Sequence, residues 1–286
     1  MRLGEQIVGG EAPCVIVAEA GINHNGDLDL ALRLIRAAQQ AGADLIKWQK
    51  RTPEVCVPDA QKTALKDTPQ WGRISYLDYK RNMEFGKKEY DAIDAECRRL
   101  GIPWFASAWD LPSLEFLLAY DPPCLKVASA CLTDLELLTA YRQTGRPVVL
   151  STGMSTEAQV MWAAAILGPD RLVVLHCVST YPCPTHELNL SGIGWLRARF
   201  PVVGYSSHHP GIWDGLCGAV LGAAMVEKHF TLDRTLWGTD HAASLEPAGL
   251  AKMVRYIRNW EQARGDGRKR VWDSERPVMA RLRRVP

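Results

Sequence analysis

The stretch Val15–Gly26 reads VIVAEAGINHNG and joins a continuous apolar run to an abrupt polar ending. Val, Ile and Ala in unbroken succession are typical of a strand that is buried on both faces, as in a parallel sheet. Glu19 ends that run, and a polar turn that contains glycine comes next. Because a carboxylate is costly to bury without a partner, Glu19 indicates the rim of a site at the end of a strand.

The same succession of apolar strand, polar strand end and amphipathic helix recurs along the chain. Asp27 is a candidate N-cap for a helix over Leu28–Ala41, Gly42 follows that helix, and Pro247 lies at the start of a final helix. Eight strand–helix units predict an α/β fold, a single-domain (β/α)8 TIM barrel over residues 1–286. The predicted strands are Val15–Glu19, Leu45–Gln49, Pro103–Ser107, Leu125–Ser129, Val148–Thr152, Leu172–Cys177, Val202–Ser207 and Met225–Phe230.

Length and composition are those of an ordinary globular protein. The chain has 286 residues, and one such barrel typically needs about 250. Its 34 basic and 32 acidic residues leave a net charge of +2, which gives no basis for a nucleic-acid or membrane partner. No signal peptide or membrane span is predicted. The eight scattered cysteines are therefore predicted to be free thiols of a cytoplasmic protein.

Two segments fall outside the strand–helix repeat. Residues 1–14 are predicted to form a short hairpin or a cap over the bottom of the barrel. Residues 50–86 form an unusually long connection that is rich in aromatic and charged side chains. Such a connection is either a lid or binding loop, or an insertion that forms an interface.

The polar residues at the predicted strand ends are the candidate site residues, because the chemistry of such barrels is carried there. Lys47 and Lys126 each lie within an apolar strand, and with nearby hydroxyls they form a receptor for a small dianion such as a phosphate ester. Lys126 is either an electrostatic anchor or a Schiff-base nucleophile. Ser151 and Ser206 either join the receptor or only bond to backbone. The further candidates are Glu19, Gln49, Ser107, Ser129, Ser151, Ser206 and Glu227.

Two histidines suggest a metal site. His208 and His229 lie at the ends of neighbouring predicted strands, where both can bind one divalent ion. A buried histidine also serves as a hydrogen-bonded core residue, but the pairing at adjacent strand ends favours a metal. His176 is a single histidine at its strand end, for which a structural role is favoured.

Six segments follow one another along the chain in the order VAEAGINHNG, AGADLIKWQ, LKVAS, LSTGM, GYSSHH and VEKHFTLDR. Together they resemble the N-acetylneuraminate (sialic acid) synthase family. The resemblance spans Val15–Glu246. It implies an enzyme that condenses phosphoenolpyruvate with an aldose or N-acetylated amino sugar. Phosphate and a 2-keto-3-deoxy sugar acid would be released, with the help of a divalent metal, usually manganese or magnesium. A homodimer is expected.

The resemblance also assigns roles by position. The family's two metal-binding histidines match His208 and His229, and its catalytic-site glutamate matches Glu19, which we expect to order water or transfer a proton. The remaining matches are Lys47, Lys126, Ser129, Ser151 and Ser206 toward phosphoenolpyruvate, Gln49 and Tyr181 toward the sugar, and Asp240 in the last loop.

Three departures from the family pattern bear on the substrate. Cys131 replaces an acidic residue, Ala108 and Trp109 replace Thr-Pro after Ser107, and the sequence ends at Pro286 without the family's antifreeze-like domain. We therefore expect an acceptor other than N-acetylmannosamine handled in the usual way. The candidates to cover the site are residues 50–86 with Trp71, Tyr76 and Arg81, the loop Thr231–Glu246 with Trp237, and the basic tail at Arg281, Arg283 and Arg284.

Two other functions compete with the synthase. A Schiff-base aldolase or lyase would use Lys126 as its nucleophile and would need pyruvate and no metal, so His208 and His229 argue against it. A barrel that binds a sugar phosphate without catalysis is kept open by Cys131 and Ala108. The sequence favours the metal-dependent synthase.

Overall fold

Eight parallel strands close into a barrel in the computed structural model, which describes residues 1–285. Each strand pairs with its neighbours in sequence, and the last strand closes on the first, with Glu227 opposite Val17. The predicted (β/α)8 barrel is confirmed. The strands are β1 Val15–Gly21, β2 Leu45–Lys50, β3 Trp104–Ala108, β4 Leu125–Val127, β5 Val148–Ser151, β6 Leu172–Cys177, β7 Val203–Ser207 and β8 Met225–His229.

One helix follows each strand and packs on the outside of the barrel. The Asp27 side chain accepts a hydrogen bond from the backbone N–H of Leu30 and so caps the first helix, as predicted. Pro247 occupies the first turn of the last helix, where its missing N–H costs nothing. The helices are α1 Leu28–Gln40, α2 Lys87–Leu100, α3 Leu111–Leu118, α4 Leu135–Gln143, α5 Glu157–Leu167, α6 Gly192–Arg197, α7 Trp213–Val220 and α8 Pro247–Ala263.

Strand side chains alternate between the barrel interior and the helices. On β1, Ile16 and Ala18 belong to the core beneath the helices, whereas Val15 and Val17 belong to a second core inside the barrel. This inner core fills the lower layers of the barrel, and its strand members also include Leu45, Phe105, Val149, Val173, Leu175 and Met225. The next inward positions toward the carboxyl end are polar, and they form the floor of the site described below.

The first 14 residues close the bottom of the barrel. They contain a two-stranded hairpin, Arg2–Leu3 paired with Gln6–Ile7. Leu3 and Val8 are fully buried against the inner core. This segment therefore seals the end of the barrel opposite the candidate site.

The connection between β2 and α2 is structured and lies at the opposite end. Its pieces are the helices Pro53–Cys56, Asp59–Lys62 and Tyr76–Met83 and the hairpin of Leu65–Thr68 with Gly72–Ser75. The Tyr79 ring meets the Trp237 ring edge to face at 5.6 Å, so this connection packs against the loop after β8. Arg81 is exposed and pairs with Glu54 and Asp78.

The remaining sequence predictions concern the tail, the thiols and the membrane. Arg281, Arg283 and Arg284 are exposed, around and within a short helix, Arg276–Leu282. All eight cysteines are free, and most are buried. Among residues 1–285, no helix has both the length and the apolar character needed to span a membrane. The homodimer and the cytoplasmic location stay predictions.

Candidate active site

A cavity of about 170 Å³ lies at the carboxyl end of the barrel, and every strand contributes to its wall or rim. Inward positions one step above the inner core supply most of the wall, as strand alternation requires. Asp240 is the one predicted site residue that does not line this cavity. The others all do: Glu19, Lys47, Gln49, Ser107, Lys126, Ser129, Ser151, Tyr181, Ser206, His208, Glu227 and His229.

A buried cluster of two lysines and two glutamates forms the floor. Lys47 Nζ lies 2.8 Å from Glu19 Oε2 and 3.6 Å from Glu227 Oε1. Lys126 Nζ lies 2.8 and 3.0 Å from the two Glu227 oxygens. The Ser206 hydroxyl donates to Glu227 Oε1 at 3.2 Å. The formal charges of the four ionised groups cancel, so an entering anion has to compete with Glu19 and Glu227 for the lysines.

The ionisation of these groups is strongly shifted by burial and by one another. Burial raises the pKa of Glu19, and the ammonium of Lys47 opposes that shift. Burial lowers the pKa of Lys126 against the pull of Glu227. For Glu227, burial alone would raise the pKa, but the charges of Lys126 and Lys47 outweigh burial and hold the pKa at about 2. Glu227 is therefore a fixed anion, and Glu19 is the member of the cluster most ready to take up a proton.

Hydroxyls of Ser129, Ser151 and Ser179 line one side of the cavity. Ser151 Oγ is buried and has no hydrogen-bond partner within the described residues. Ser129 Oγ accepts from the Gly153 N–H at 3.0 Å. A Cβ at Gly153 would collide with Ser179 and lie 2.9 Å from Ser129 Oγ, so only glycine lets this loop approach so closely. The unused donor of Ser151 suits an anionic ligand.

The two candidate metal ligands lie next to each other in the wall of the cavity. The ring centroids of His208 and His229 are 5.2 Å apart, and the Tyr181 ring lies 3.9 Å from that of His208. His208 Nδ1 is 2.6 Å from the Val178 carbonyl oxygen, so it donates there and leaves Nε2 free. His229 Nδ1 is buried without a hydrogen bond, and Asp240 Oδ2 is 3.8 Å away.

Burial lowers the pKa of His229 to about 3, which keeps its ring neutral. Neutral imidazole is the form that binds a metal. Within residues 1–285 there is no group of three or more His, Cys, Asp and Glu side chains arranged to hold an ion. A metal bound here would thus have two protein ligands, with water and substrate at its other positions.

A second buried ion pair supports the loop that carries His208. Lys228 Nζ lies 3.1 and 3.2 Å from the carboxylate oxygens of Asp214, and it donates to the His209 carbonyl at 2.6 Å. Ser207 donates its hydroxyl hydrogen to Asp214. Because Asp214 belongs to α7, its bonds to Ser207 and Lys228 fasten the ends of β7 and β8 to the surrounding helix layer. These contacts fix the residues on both sides of His208 in the chain, Ser207 and His209, and so hold His208 in position.

Two of the side chains that depart from the family pattern, Ala108 and Cys131, lie away from the cavity. Ala108 is fully buried, and Cys131 is 6% exposed; both pack in the core beneath the helices. Since Ser107 points inward, strand alternation turns Ala108 outward. Neither of these two side chains lines the cavity. Trp109, in contrast, does line the cavity.

Several lining residues were not predicted. Cys177 occupies an inward position of β6, which the alternation of that strand could have indicated. Trp109, Met154 and Ser179 lie in loops beyond the strand ends, where no periodicity helps. Arg51 lies outside the cavity wall and donates to Gln49 Oε1, and Gln49 Nε2 donates to Glu19 Oε1 at 2.9 Å.

The fold and the site together define a TIM-barrel protein with a charge-lined cavity at the carboxyl end of its strands. Within that class, the chain belongs to the NeuB family, whose model matches residues 34–269. The resemblance found in the sequence is thereby confirmed.

Individual relatives agree over nearly the whole chain. Mouse N-acetylneuraminate-9-phosphate synthase is 38% identical over 281 residues, which cover 96% of this chain and 78% of that protein. N,N'-diacetyllegionaminic acid synthase of Legionella pneumophila is 34% identical over 285 residues, which cover 96% and 80%. The crystal structure of N-acetylneuraminic acid synthetase from Leptospira borgpetersenii matches with a TM-score of 0.87 and 34% identity, covering 100% of this chain and 98% of that one.

Proposed function

We propose that this protein condenses phosphoenolpyruvate with an aldose or N-acetylated amino sugar to give a 2-keto-3-deoxy sugar acid and phosphate. The observation that carries the proposal is the pair of buried lysines, Lys47 and Lys126, beside the unused hydroxyl of Ser151. The cavity of about 170 Å³ is smaller than the roughly 300–1,000 Å³ of drug-sized pockets, which suits a three-carbon anion. Membership of the NeuB family and the names of its relatives support the same reaction.

Binding of phosphoenolpyruvate brings phosphate and carboxylate charges to a cluster that is already neutral. The ligand draws Lys47 and Lys126 partly away from their glutamates, and the serine hydroxyls donate to its oxygens. Glu19, whose pKa burial raises, can take up a proton when Lys47 turns to the ligand. In the protein without ligand, the two lysines are thus already in place and are paired with Glu19 and Glu227.

In the proposed reaction the methylene carbon of phosphoenolpyruvate bonds to the aldehyde carbon of the acceptor. The aldehyde oxygen takes a proton and becomes a hydroxyl. Water then adds to the phosphorylated carbon and loses one proton, which leaves a hydroxyl there. The bond between that carbon and the phosphate oxygen breaks, and the hydroxyl proton passes to the departing phosphate, leaving a ketone and free phosphate. We assign to Glu19 the ordering of that water and the transfer of its proton. Lys47 and Lys126 stabilise the charge that accumulates on the phosphate side.

The proposal includes a divalent metal, manganese or magnesium, held by His208 and His229. Both rings are buried, His229 is neutral, and the contact of His208 Nδ1 with a backbone carbonyl is the usual support for a ligating histidine. The residues present therefore fit a metal ion. When bound, it would supply Lewis acidity to the acceptor's aldehyde oxygen. Asp240, 3.8 Å from His229 Nδ1, is placed to orient that ring.

The test is consumption of phosphoenolpyruvate by the purified protein with a panel of aldoses and N-acetylated hexosamines. We expect phosphate and a 2-keto acid to appear in equal amounts, and only when an acceptor is present. Absence of turnover with every acceptor, with and without added manganese or magnesium, would contradict the proposed reaction.

The metal has its own test. Chelation should abolish turnover reversibly, and His208→Ala or His229→Ala should lower metal occupancy without unfolding the protein. His186→Ala is the matched control, because His186 is an exposed loop residue. Full activity of the chelated protein would rule out the metal and leave the condensation itself standing.

Schiff-base chemistry at Lys126 is the second candidate, since burial lowers the pKa of this amine. Against it, both oxygens of Glu227 hold Lys126 Nζ as an ammonium, which is not nucleophilic. Borohydride treatment with pyruvate should therefore leave the protein mass unchanged. A stable adduct on Lys126 would decide for the aldolase.

A further inference from the structure

The polar turn after β1, residues 23–26, is buried against the loop that follows β8. Asn23 and Asn25 are both buried, although neither side chain lines the cavity. A buried amide costs free energy unless its donors and acceptors find partners. The hydrogen bonds of these two side chains therefore show what the turn holds in place.

Asn25 donates both of its amide hydrogens to the loop after β8. Its Nδ2 lies 2.7 Å from the Trp237 carbonyl oxygen and 3.3 Å from His241 Nε2. Because a carbonyl oxygen can only accept, the nitrogen end of the amide faces Trp237, and His241 Nε2 accepts the second hydrogen. Trp237 precedes Asp240 in the chain and His241 follows it. Asn25 thus holds the loop on both sides of Asp240.

The His241 ring extends this contact within the loop. Burial lowers the pKa of His241, so the ring is neutral and its Nε2 can accept. The proton then lies on Nδ1, which donates to Thr231 Oγ1 at 2.7 Å, and the Thr231 hydroxyl donates to the Asp233 carbonyl at 3.1 Å. Gly238 has a φ of +145°, and a Cβ there would collide with the His241 ring. The loop therefore packs around this ring as closely as glycine allows.

Asn23 fastens the two ends of the same loop. Its Nδ2 donates to the Phe230 carbonyl and to Ser244 Oγ, both at 2.9 Å. Ser244 Oγ in turn donates to the Asp240 carbonyl at 2.7 Å. The backbone of Asp240 is thus connected to the turn after β1 by a second path.

We propose that Asn25 is a positioning residue, which holds the carboxylate of Asp240 against His229. The inference rests on the proposed function, in which His229 and Asp240 act together. Asp240 Oδ2 lies 3.8 Å from His229 Nδ1. Within residues 1–285, the Asp240 carboxylate accepts a hydrogen bond only from Thr239, its neighbour on the loop, at 2.7 Å. The loop backbone, which Asn25 holds, therefore determines where this carboxylate lies.

The test compares Asn25→Gly with Asn189→Gly. Both asparagines have a left-handed backbone, with φ of 51° and 43°, which glycine adopts without strain, and Asn189 is exposed. We expect Asn25→Gly to lower kcat about 10-fold, the lower end for residues that support a ligating histidine. The KM for phosphoenolpyruvate should not change, because the lysines that bind it are untouched. In the Asp240→Ala protein, Asn25→Gly should cost little more, because its effect passes through Asp240.

A second readout needs neither turnover nor metal. The NMR signals of the His229 ring, identified by their loss in His229→Ala, should shift in Asn25→Gly in the same direction as in Asp240→Ala. They should stay in place in Asn189→Gly. Asn25→Asp keeps the shape of asparagine and lacks the two donors, so it serves as the second variant if Asn25→Gly does not fold.

Three results would overturn the positioning role. The first is an equal loss of kcat from Asn25→Gly with and without Asp240. The second is a set of His229 signals that responds to neither substitution of Asn25. The third is a fall in urea stability alone, with kcat and the His229 signals unchanged, which would make Asn25 a purely structural residue. If no acceptor supports turnover, the proposed condensation fails, and the His229 signals still decide on Asn25.

Discussion

Glu227 and Lys228 are neighbours on β8, and each joins a buried cluster of lysine and acid on opposite faces of the same strand. Glu227 faces the interior and pairs with Lys126 and Lys47 at the floor of the cavity. Lys228 faces the helices and pairs with Asp214, where both side chains are fully buried. Burial and pairing are thus alike in the two clusters, and they do not by themselves mark a reactive site.

The difference lies in hydrogen bonds left open. Lys228 has acceptors in Asp214, Ser207 and the His209 carbonyl, which satisfy its three donors. The cluster at the cavity instead adjoins the unpartnered hydroxyl of Ser151 and includes Glu19, whose pKa burial raises. The cluster of Lys228 and Asp214 is complete and holds a loop, and we call it the closed cluster. The cluster at the cavity can exchange partners with a ligand, and we call it the open cluster.

The largest effect is expected from removing a lysine of the open cluster. Lys126→Met should weaken the binding of phosphoenolpyruvate by about 2–5 kcal/mol. The value of kcat/KM for phosphoenolpyruvate should fall by the corresponding factor, roughly 30- to 5,000-fold. The stability loss should be smaller, because Glu227 keeps Lys47 as a partner at 3.6 Å. Calorimetric affinity for phosphoenolpyruvate and urea unfolding measure the two effects. Lys88→Met, on the exposed face of α2, is the control, and unchanged affinity in Lys126→Met would remove this lysine from the site.

Strand alternation explains how much of the site could be predicted from the sequence. Once Glu19 is taken as inward, every second residue on each strand faces the interior, which places Lys47 and Lys126 with it. The same rule turns Ala108 outward, so this departure from the family motif does not reach the cavity. Asp214 could not be paired with Lys228 in this way, because one lies on a helix and the other on a strand, and only the tertiary fold brings them together.

The loop residues of the site could not be predicted from the sequence either. Arg51 lies just beyond β2, and its stacking on Trp109 depends on how two connections pack. The length of residues 50–86 left a lid, a binding loop and an interface insertion open, and it could not indicate which cations of this connection are buried. Arg81 was named as a candidate and is exposed, whereas its neighbour Lys80 is half-buried beside the rings of Tyr76 and Tyr79.

A substitution in the closed cluster should lower the stability of the protein more than it lowers ligand binding. Asp214→Asn leaves the ammonium of Lys228 buried without its counter-charge, so the free energy of unfolding should fall by about 3–5 kcal/mol. Urea unfolding measures this loss. Affinity for phosphoenolpyruvate of the folded fraction should change much less than in Lys126→Met.

A double variant sharpens this prediction. Asp214→Leu combined with Lys228→Met removes both charges and should recover part of the stability that Asp214→Asn loses, because a buried pair can often be replaced by apolar groups. A double variant as unstable as Asp214→Asn would show that Ser207 and Tyr205, which also bond to Asp214, matter more than the charge pair.

The smallest effect is expected at an ion cluster on the surface. Glu96 lies 2.6 Å from Arg36 Nε and 2.7 Å from Arg99 Nε, and the Arg99 contact first and Arg36 next lower its pKa from 4.5 to about 2. Both arginines are well exposed, so solvent limits the contribution to about 1 kcal/mol or less. Because the folded pKa lies below the unfolded one, this stability is present above pH 4.5 and is lost as the pH falls toward 2.

Comparing Glu96→Gln with the unaltered protein by urea unfolding tests this expectation. The stability difference should be largest near neutral pH, shrink to less than about half by pH 3, and shrink also at about 1 M salt, where the Debye length is near 3 Å. The loss in Asp214→Asn should hardly respond to salt, since that pair is sealed from solvent. If both variants responded to salt alike, the distinction between closed and solvent-facing clusters would not hold.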